Sequence, residues 1–258
     1  MTSTINAPDL WAARLPKPSL DGHKYHRGHA VILGAETYTG ATRLAAEACS
    51  RIGAGLVTVH SQAQAQVYRA TLPADIMVRD DALTALNRPS TILAGPGGCS
   101  DAQASALSGL QGPLNLVLDA DAIRLWPIFK PRSCIATPHE GEFERYFDGL
   151  SGDAEKRASE AAKSSGMIVV LKGPQTVIAS PDGQTVLNTV ASPYLAKAGT
   201  GDVLTGLITG LLAQGMPTFD AACAGVWIHG RAGERIGPGL IPQDIISEIR
   251  PILAALIG

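Results

Sequence analysis

The residues best suited to catalysis or ligand binding lie just before an apolar segment in the last third of the chain. They read Lys197-Ala198-Gly199-Thr200-Gly201-Asp202, and aliphatic residues then recur at helical spacing from residue 203 to residue 214. A Gly and a Pro end that pattern, so the run before it is the predicted start of a helix. Free backbone N–H groups and the positive end of the helix dipole meet there, which suits a phosphate anion. We therefore predict an anion hole at Gly199, Thr200 and Gly201.

Asp202 has two interpretations at this position. An acidic residue in the first turn of a helix is favoured electrostatically and needs no other role. Beside an anion-binding loop, its carboxylate could instead take the proton of an attacking hydroxyl while the loop holds the phosphoryl group. The second interpretation describes kinase-like phosphoryl transfer in a chain that lacks the GxxxxGK[ST] phosphate loop.

The composition is that of an ordinary globular protein with a sizeable core. The 258 residues are 45% hydrophobic and 17% charged, which fits a single domain over residues 1–258 with residues 1–22 as an N-terminal extension. A net charge of −2 and 5% aromatic residues argue against nucleic-acid binding. Neither a membrane segment nor a signal peptide is predicted, so we expect a cytoplasmic protein. The four cysteines lack metal-ligand spacing and are predicted to be buried free thiols.

Short β-branched runs alternate with alanine-rich helical stretches along the chain. This order predicts an α/β fold with a central, mostly parallel sheet, because helices join successive parallel strands. An Asp-Gly turn between two later runs predicts a small β-hairpin addition. The predicted strands are 30–33, 56–59, 91–94, 115–119, 134–137 and 167–172, with hairpin strands 176–179 and 185–188, and the predicted helices are 41–52, 151–165, 203–214, 219–236 and 243–257.

The segments that follow the predicted strands hold most of the remaining chemistry. Ligands of open parallel sheets bind beyond the carboxyl ends of the strands, so we expect these segments to converge on one rim. They are Gly34 and the runs 95–98, 119–121, 138–142 and 172–173.

Each of these segments also has a structural interpretation. The run 172–176 brings a cation, an amide and a hydroxyl to a strand end, where they could hold a nucleotide phosphate or form a simple turn. His139 could bind substrate, and Glu140 or Glu142 could orient water or Mg²⁺, but the acids could equally cap a helix. A single His does not make an HExxH zinc site, so zinc is not expected.

Three glycine-rich or acidic segments could either bind a ligand or have a purely structural role. Asp119 and Asp121 could contact a ribose or an ammonium group, or could cap the next helix, and capping is slightly favoured. The turn at 95–98 permits close approach of a ligand to the backbone. Gly40-Ala41 opens an alanine-rich helix whose small residues suit a large ligand or tight packing against the sheet.

The motifs at these positions resemble those of the ADP/ATP-dependent NAD(P)H-hydrate dehydratase family. By this resemblance the chain would be a stand-alone dehydratase domain. The resemblance covers residues 23–249, and the motifs follow in the family's order. They are GHAVILG (28–34), YTGA (38–41), RIGAGLVTV (51–59), VLDADA (117–122), TPHEGE (137–142) and AGTGDVL (198–204).

The resemblance implies a fold and a reaction. The fold would be ribokinase-like, a central mostly parallel sheet with helices on both faces. The reaction would be the repair of NADH or NADPH to which water has added at the nicotinamide ring. The 6-hydroxyl of the S epimer would take a phosphoryl group from ADP, or from ATP, and the phosphate ester would then eliminate. The products would be NAD(P)H, AMP and phosphate, with Mg²⁺ as cofactor.

The resemblance also assigns roles to residues. Asp202 would be the catalytic base and would contact the hydrate, while the amides of the predicted anion hole would stabilise the transferring phosphoryl group. The nucleotide contacts would be Lys172, Gly173, Pro174, Gln175, Thr176 and Gly201. The hydrated dinucleotide would touch Ala41, Gly97, His139 and Asp202, and Glu142 is the candidate for an indirect metal contact.

Assembly and partners are further implications of the resemblance. Members of the family often form homotetramers, so we expect an oligomer. With about 22 residues before the first motif, we expect no fused epimerase domain, and a separate NAD(P)H-hydrate epimerase would convert the other epimer.

Two other functions use the same residues. A ribokinase-like kinase for a vitamin precursor or sugar would need the same base and glycine loop, together with a small enclosed pocket. A nucleotide-binding regulator without catalysis would not need Asp202. TPHEGE and the alanine-rich opening helix favour the dehydratase over both.

Overall fold

The structure, a computed structural model, describes residues 4–110, 112–129 and 133–258. Within them the chain forms one ten-stranded sheet with helices on both faces, which confirms the predicted fold class. The strands are β1 (Thr4–Ile5), β2 (His29–Leu33), β3 (Leu56–His60), β4 (Ile76–Arg79), β5 (Thr91–Ala94), β6 (Asn115–Leu118), β7 (Cys134–Ala136), β8 (Ile168–Leu171), β9 (Thr176–Ala179) and β10 (Thr185–Asn188).

The helices alternate with the strands through most of the chain. They form two layers, one on each face of the sheet, and each layer packs against the sheet through its own hydrophobic core. The helices are α1 (Thr39–Arg51), α2 (Ala65–Thr71), α3 (Asp101–Ser108), α4 (Glu140–Tyr146), α5 (Ala154–Ser165), α6 (Thr200–Ala213), α7 (Thr218–Ile236) and α8 (Pro242–Ile257).

The strand order fixes where a ligand crevice can form. The order across the sheet is β1-β10-β9-β8-β7-β6-β5-β2-β3-β4. The chain first builds outward from β2 through β3 to β4, and then returns to β5 on the other side of β2 and builds toward β8. All of these pairs are parallel, so the carboxyl ends of β2 and β5 mark a point where the direction of winding reverses. In open parallel sheets this is where ligands bind.

The predicted hairpin is present and extends the central sheet. Strand β9 pairs antiparallel with both β8 and β10, and β10 pairs parallel with β1. The first strand, absent from the sequence prediction, is only two residues long and lies at the sheet edge. Asn6 holds this region in place, because its side-chain amide donates to Asn188 Oδ1 at 2.9 Å and to Cys223 O at 2.8 Å.

Alternation along each strand gives the sheet two apolar faces. On β2, Ala30 and Ile32 enter the core beneath α1, α6, α7 and α8, whereas Val31 and Leu33 enter the core beneath α3, α4 and α5. All four cysteines are buried free thiols, as predicted. Within the described ranges, no helix combines the length and the apolar character needed to cross a bilayer.

Helix α6 lies unusually close to α1, and small residues make this possible. A Cβ atom at Gly206 would lie 2.2 Å from the carbonyl oxygen of Ala45, and one at Gly210 would lie 2.8 Å from the carbonyl oxygen of Cys49. No rotamer change relieves a clash with backbone. The close approach therefore sets the position of α6 and, with it, of the residues at its amino end.

Gly206→Ala should therefore destabilise the protein even though alanine favours helices. We expect the free energy of unfolding to fall by about 1–3 kcal/mol, the usual cost of overpacking a core. Gly109→Ala is the control, because a Cβ there would meet its nearest atom at 3.5 Å, an ordinary contact. Denaturant unfolding of both variants tests this, and equal stability of the two would contradict the packing argument.

Candidate active site

The reversal point between β2 and β5 is built from small residues and one threonine. Thr42, in the first turn of α1, donates from Oγ1 to Pro96 O at 3.0 Å and accepts from the Ala35 amide at 3.0 Å. Gly97 has φ +83, and a Cβ there would lie 2.3 Å from Tyr38 O and 3.2 Å from Ala41 Cβ. The structure thus brings Ala41 and Gly97 into contact.

The next strand ends along the sheet carry a buried ion pair. Asp119 follows β6 and is 5% exposed. Its Oδ1 atom accepts from Lys172 Nζ at 3.0 Å and from Thr137 Oγ1 at 2.7 Å. The slightly favoured prediction that Asp119 caps a helix is therefore wrong, because its carboxylate is used by the ammonium group of Lys172. Thr137 was not predicted, although it follows a buried strand within the TPHEGE motif.

Lys172 is the centre of charge at this rim. Its ammonium lies 3.0 Å from Asp119 Oδ1 and 3.9 Å from Glu142 Oε2. Burial opposes the charge, but the carboxylates of Asp119 and Glu142 outweigh it, so the pKa of Lys172 is raised above its ordinary value. Lys172 therefore carries a positive charge at neutral pH.

Asp202 is the carboxylate whose ionisation the site disfavours. Burial, and then the negative charge of Asp119, raises the pKa of Asp202 to about 7, and the positive charge of Lys172 offsets only part of this. The group can therefore exist in both protonation states near neutral pH. A carboxyl group with such a pKa is suited to accept and return a proton.

The amino end of α6 faces Lys172. A Cβ atom at Gly201 would lie 3.5 Å from Lys172 Nζ, so the first turn of the helix and the ammonium group adjoin each other. No side chain caps α6, and the first-turn amides of Gly201 and Asp202 have no acceptor within the helix. Two kinds of positive charge, a helix terminus and an ammonium, thus meet beside Asp202.

The backbone before α6 is held by Gly199 and Thr200. Gly199 has φ +95, and a Cβ there would lie 2.8 Å from side-chain atoms of both Leu44 and Pro242. Thr200 Oγ1 is 2.7 Å from Leu195 O and 2.8 Å from Lys197 O, and the Thr200 amide donates to Lys197 O at 3.3 Å. The Thr200 amide is therefore already used within the loop, whereas the backbone hydrogen bonds of the described residues include none donated by the Gly199 or Gly201 amide.

His229 supports this loop from below and was not predicted. It lies on α7, and its Nε2 atom is 2.9 Å from Thr200 O. Burial lowers the pKa of His229 to about 4, so the ring is neutral and Nε2–H donates to the carbonyl. A lone imidazole within an alanine- and glycine-rich helical segment was the available signal in the sequence.

The TPHEGE motif forms the start of α4, and its residues divide between two roles. Glu142 Oε2 accepts from the His139 amide at 2.9 Å, and His139 Nδ1 accepts from the Glu142 amide at 3.3 Å, so the capping role is present. The His139 side chain is nevertheless 60% exposed at the rim, and an isolated parallel β-bridge between His139 and Lys172 places the two residues side by side. Glu140 pairs with Arg157 and is directed away from this cluster.

The residues after Lys172 lie in the turn between β8 and β9. Gly173, Pro174 and Gln175 are exposed, and Thr176 begins β9. They adjoin Lys172 in sequence and contact solvent, so they are accessible to a ligand. The structure does not place them against Asp202. The site runs from Ala41 and Gly97, through the charged cluster, to His139 and this turn.

Comparison with known proteins identifies the family. The family model for NAD(P)H-hydrate dehydratase matches residues 29–250, which include every residue of the site. The chain belongs to the NAD(P)H-hydrate dehydratase family. The ADP-dependent (S)-NAD(P)H-hydrate dehydratase of Neisseria meningitidis is 33% identical, with 100% of this chain and 89% of that protein covered.

Other relatives of the NAD(P)H-hydrate dehydratase family are longer than this chain. The bifunctional NAD(P)H-hydrate repair enzyme of Thermosynechococcus vestitus is 35% identical over 90% of this chain, which covers 50% of that protein. The chain thus spans about half the length of the bifunctional relatives it matches. A crystal structure of the Bacillus subtilis ADP/ATP-dependent NAD(P)H-hydrate dehydratase, co-crystallised with ATP and Mg²⁺, superposes with a TM-score of 0.87, 27% identity and 99% of both chains covered.

The raised pKa of Asp202 predicts the direction in which the stability of the protein changes with pH. Between the ordinary value of 3.8 and about 7, the unfolded chain has lost a proton that the folded chain keeps, so stability falls as pH rises. The side chain of Asp202→Asn stays neutral at every pH. The variant's free energy of unfolding minus that of the parent protein should therefore increase between these two pH values and stay constant above them.

Denaturant unfolding at a series of pH values measures this gain. Asp148→Asn, a substitution of an exposed carboxylate outside the site, is the matched control and should show no such trend. A gain for Asp202→Asn that is the same at every pH would contradict the raised pKa.

Proposed function

We propose that this protein dehydrates the S epimer of hydrated NADH or NADPH, with ADP as the phosphoryl donor. The proton of the 6-hydroxyl passes to Asp202 as that oxygen bonds to the β-phosphorus of ADP, and AMP leaves. The resulting ester loses its C6–O bond to phosphate and a proton from C5, which restores the C5–C6 double bond. Hydroxide is a poor leaving group and phosphate a good one, so the phosphorylation makes the elimination feasible.

One observation carries this proposal: a carboxyl group with a pKa of about 7 adjoins an uncapped helix start and a buried ammonium. Phosphoryl transfer needs a base for the hydroxyl and positive charge for the phosphoryl oxygens, and the two are side by side. The family and the name of the Neisseria meningitidis relative support the dehydratase and the choice of ADP.

The proposed contacts follow the order of the site. Lys172 and the Gly201 amide hold the phosphates, with Gly199 and Thr200 shaping the loop, and the exposed turn Gly173, Pro174, Gln175 and Thr176 contacts the rest of the nucleotide. The hydrated dinucleotide lies along Ala41, Gly97 and His139 with its 6-hydroxyl at Asp202. Burial at the strand ends keeps bulk water from competing for the phosphoryl group.

Mg²⁺ fits this site as a companion of the nucleotide. No group of three or more His, Cys, Asp or Glu side chains among the described residues is arranged to hold a metal alone. Mg²⁺ commonly binds through one or two carboxylates, phosphate oxygens and water, and Glu142 and Asp202 supply such hard oxygen donors. When bound, the ion supplies positive charge that offsets the phosphates next to Asp202.

Three broader features belong to the same proposal. We place the enzyme in the cytoplasm, as a homo-oligomer, with a separate protein that converts the R epimer. The bifunctional names of the longer relatives fit a reaction pathway in which epimerisation accompanies dehydration.

The proposed activity is tested by adding the protein to NADH hydrate with Mg²⁺ and either ADP or ATP. We expect recovery of the reduced-nicotinamide absorbance with ADP, and kcat/KM should rise with pH through an apparent pKa of about 7. Asp202→Asn should lose at least about a thousandfold in kcat while still binding ADP, since removal of a base costs this order. Asp148→Asn should keep full activity.

Nucleotide binding without any recovery of absorbance would overturn the dehydratase. Turnover of a small alcohol to a stable phosphate ester would then support the ribokinase-like kinase. Unchanged activity of Asp202→Asn would overturn the role of Asp202 as base.

A further inference from the structure

A second cavity lies at the opposite end of the sheet from the candidate active site. It has a volume of about 550 Å³ and lies between the segment that leads into β2, the turn before β3 and the end of α6. Asp119, Lys172 and Asp202 follow the carboxyl ends of strands or open α6, whereas this cavity adjoins the amino ends of β2 and β3 and residue Gln214 beyond the end of α6. The two sites therefore share no residue.

The lining of this cavity is basic. Lys17, Lys24 and Arg27 contribute three side chains that are charged at neutral pH, and His23 and His26 add two imidazoles whose rings stack at 3.7 Å. The lining contains no acidic residue. Among the ion pairs between described residues, none involves any of the three cations. The cavity is therefore locally positive although the chain as a whole has a net charge of −2.

The RIGAGLVTV motif contributes Ala54 and Gly55 to the cavity lining, where its backbone packs closely against the segment that leads into β2. A Cβ atom at Gly55 would lie 1.9 Å from Lys24 O, and the Gly55 amide donates to Arg27 O at 3.0 Å. A Cβ at Gly53 would lie 2.7 Å from Arg27 Nη2 and 2.9 Å from Gln214 Oε1. The glycines thus let Arg27 and Gln214 approach the backbone closely. Gln214 Nε2 already donates to Gly210 O at 2.9 Å and to Ile52 O at 3.3 Å, so the guanidinium of Arg27 is the donor available to a ligand here.

We propose that this cavity is a second binding site, for a small ligand that carries two or more phosphate groups. Three cations with no acidic partner leave a positive charge that a polyphosphate neutralises, and the guanidinium of Arg27 binds phosphate oxygens in pairs. The cavity has the size of ordinary small-molecule sites, and a single phosphate would leave most of it empty. The proposal goes beyond the dehydratase reaction and does not depend on it.

Inorganic pyrophosphate is the probe, titrated into the full chain by calorimetry at physiological ionic strength, where charges more than about 8 Å apart are largely screened. Lys172→Gln serves as the background, so that phosphate binding at the active site is weakened equally in every sample. On that background we compare Lys24→Gln/Arg27→Gln with Lys156→Gln/Lys163→Gln. The second pair removes the same charge from α5, outside the cavity lining.

The cavity variant should bind pyrophosphate at least about tenfold more weakly than the background protein, because two charge-assisted contacts are lost. The control pair should stay within about twofold of the background protein, a change of a few tenths of a kcal/mol at most. The four side chains that differ between the variants are exposed, and the Lys172→Gln substitution is common to every sample, so equal thermal unfolding midpoints would show that folding is intact. Equal pyrophosphate affinity in the cavity variant and the control, or no measurable binding to the background protein, would overturn the proposal.

Discussion

A buried ammonium group among three carboxylates is the constraint on which the site depends. Removing a charge from water costs several kcal/mol, so Lys172 stays protonated only because Asp119 and Glu142 lie 3.0 and 3.9 Å away. These two partners already compensate its charge. Asp202 therefore gains too little from Lys172 to offset its own burial and the repulsion of Asp119, and its pKa rises to about 7. The same cluster holds a cation ready for phosphate and a carboxyl group ready to accept a proton.

The fold creates this arrangement by holding the ends of separate strands and the start of a helix close together through tight packing. Asp119 and Lys172 come from the ends of two parallel strands that are separated by β7, and Asp202 comes from a helix start. Gly206 and Gly210 let α6 approach the backbone of α1 closely, and His229 holds the Thr200 carbonyl from α7. The distance between Asp202 and Lys172 thus depends on helix packing far from the chemistry, which is how a rigid scaffold preorganises a site.

Much of this organisation could be predicted from the sequence. Alternating β-branched and alanine-rich runs predicted the sheet, and glycines before an aliphatic helix predicted the α6 start, because both signals are local. The partner of Asp119 could not be predicted in this way. Lys172 is 53 residues away, and only the strand order brings the two together. Two-residue β1 and the edge strand β4 were missed because such short or half-polar segments have weak periodicity.

The pKa of Asp202 is the quantity that tests this account most directly. Carbon-13 NMR of its carboxyl group, followed against pH in the parent protein and in Asp119→Asn, measures it without any substrate. We predict a titration midpoint of about 7 in the parent protein and a lower midpoint in the variant, because a repelling charge is gone. A midpoint near the ordinary value of 3.8, or one that Asp119→Asn leaves unchanged, would contradict the account.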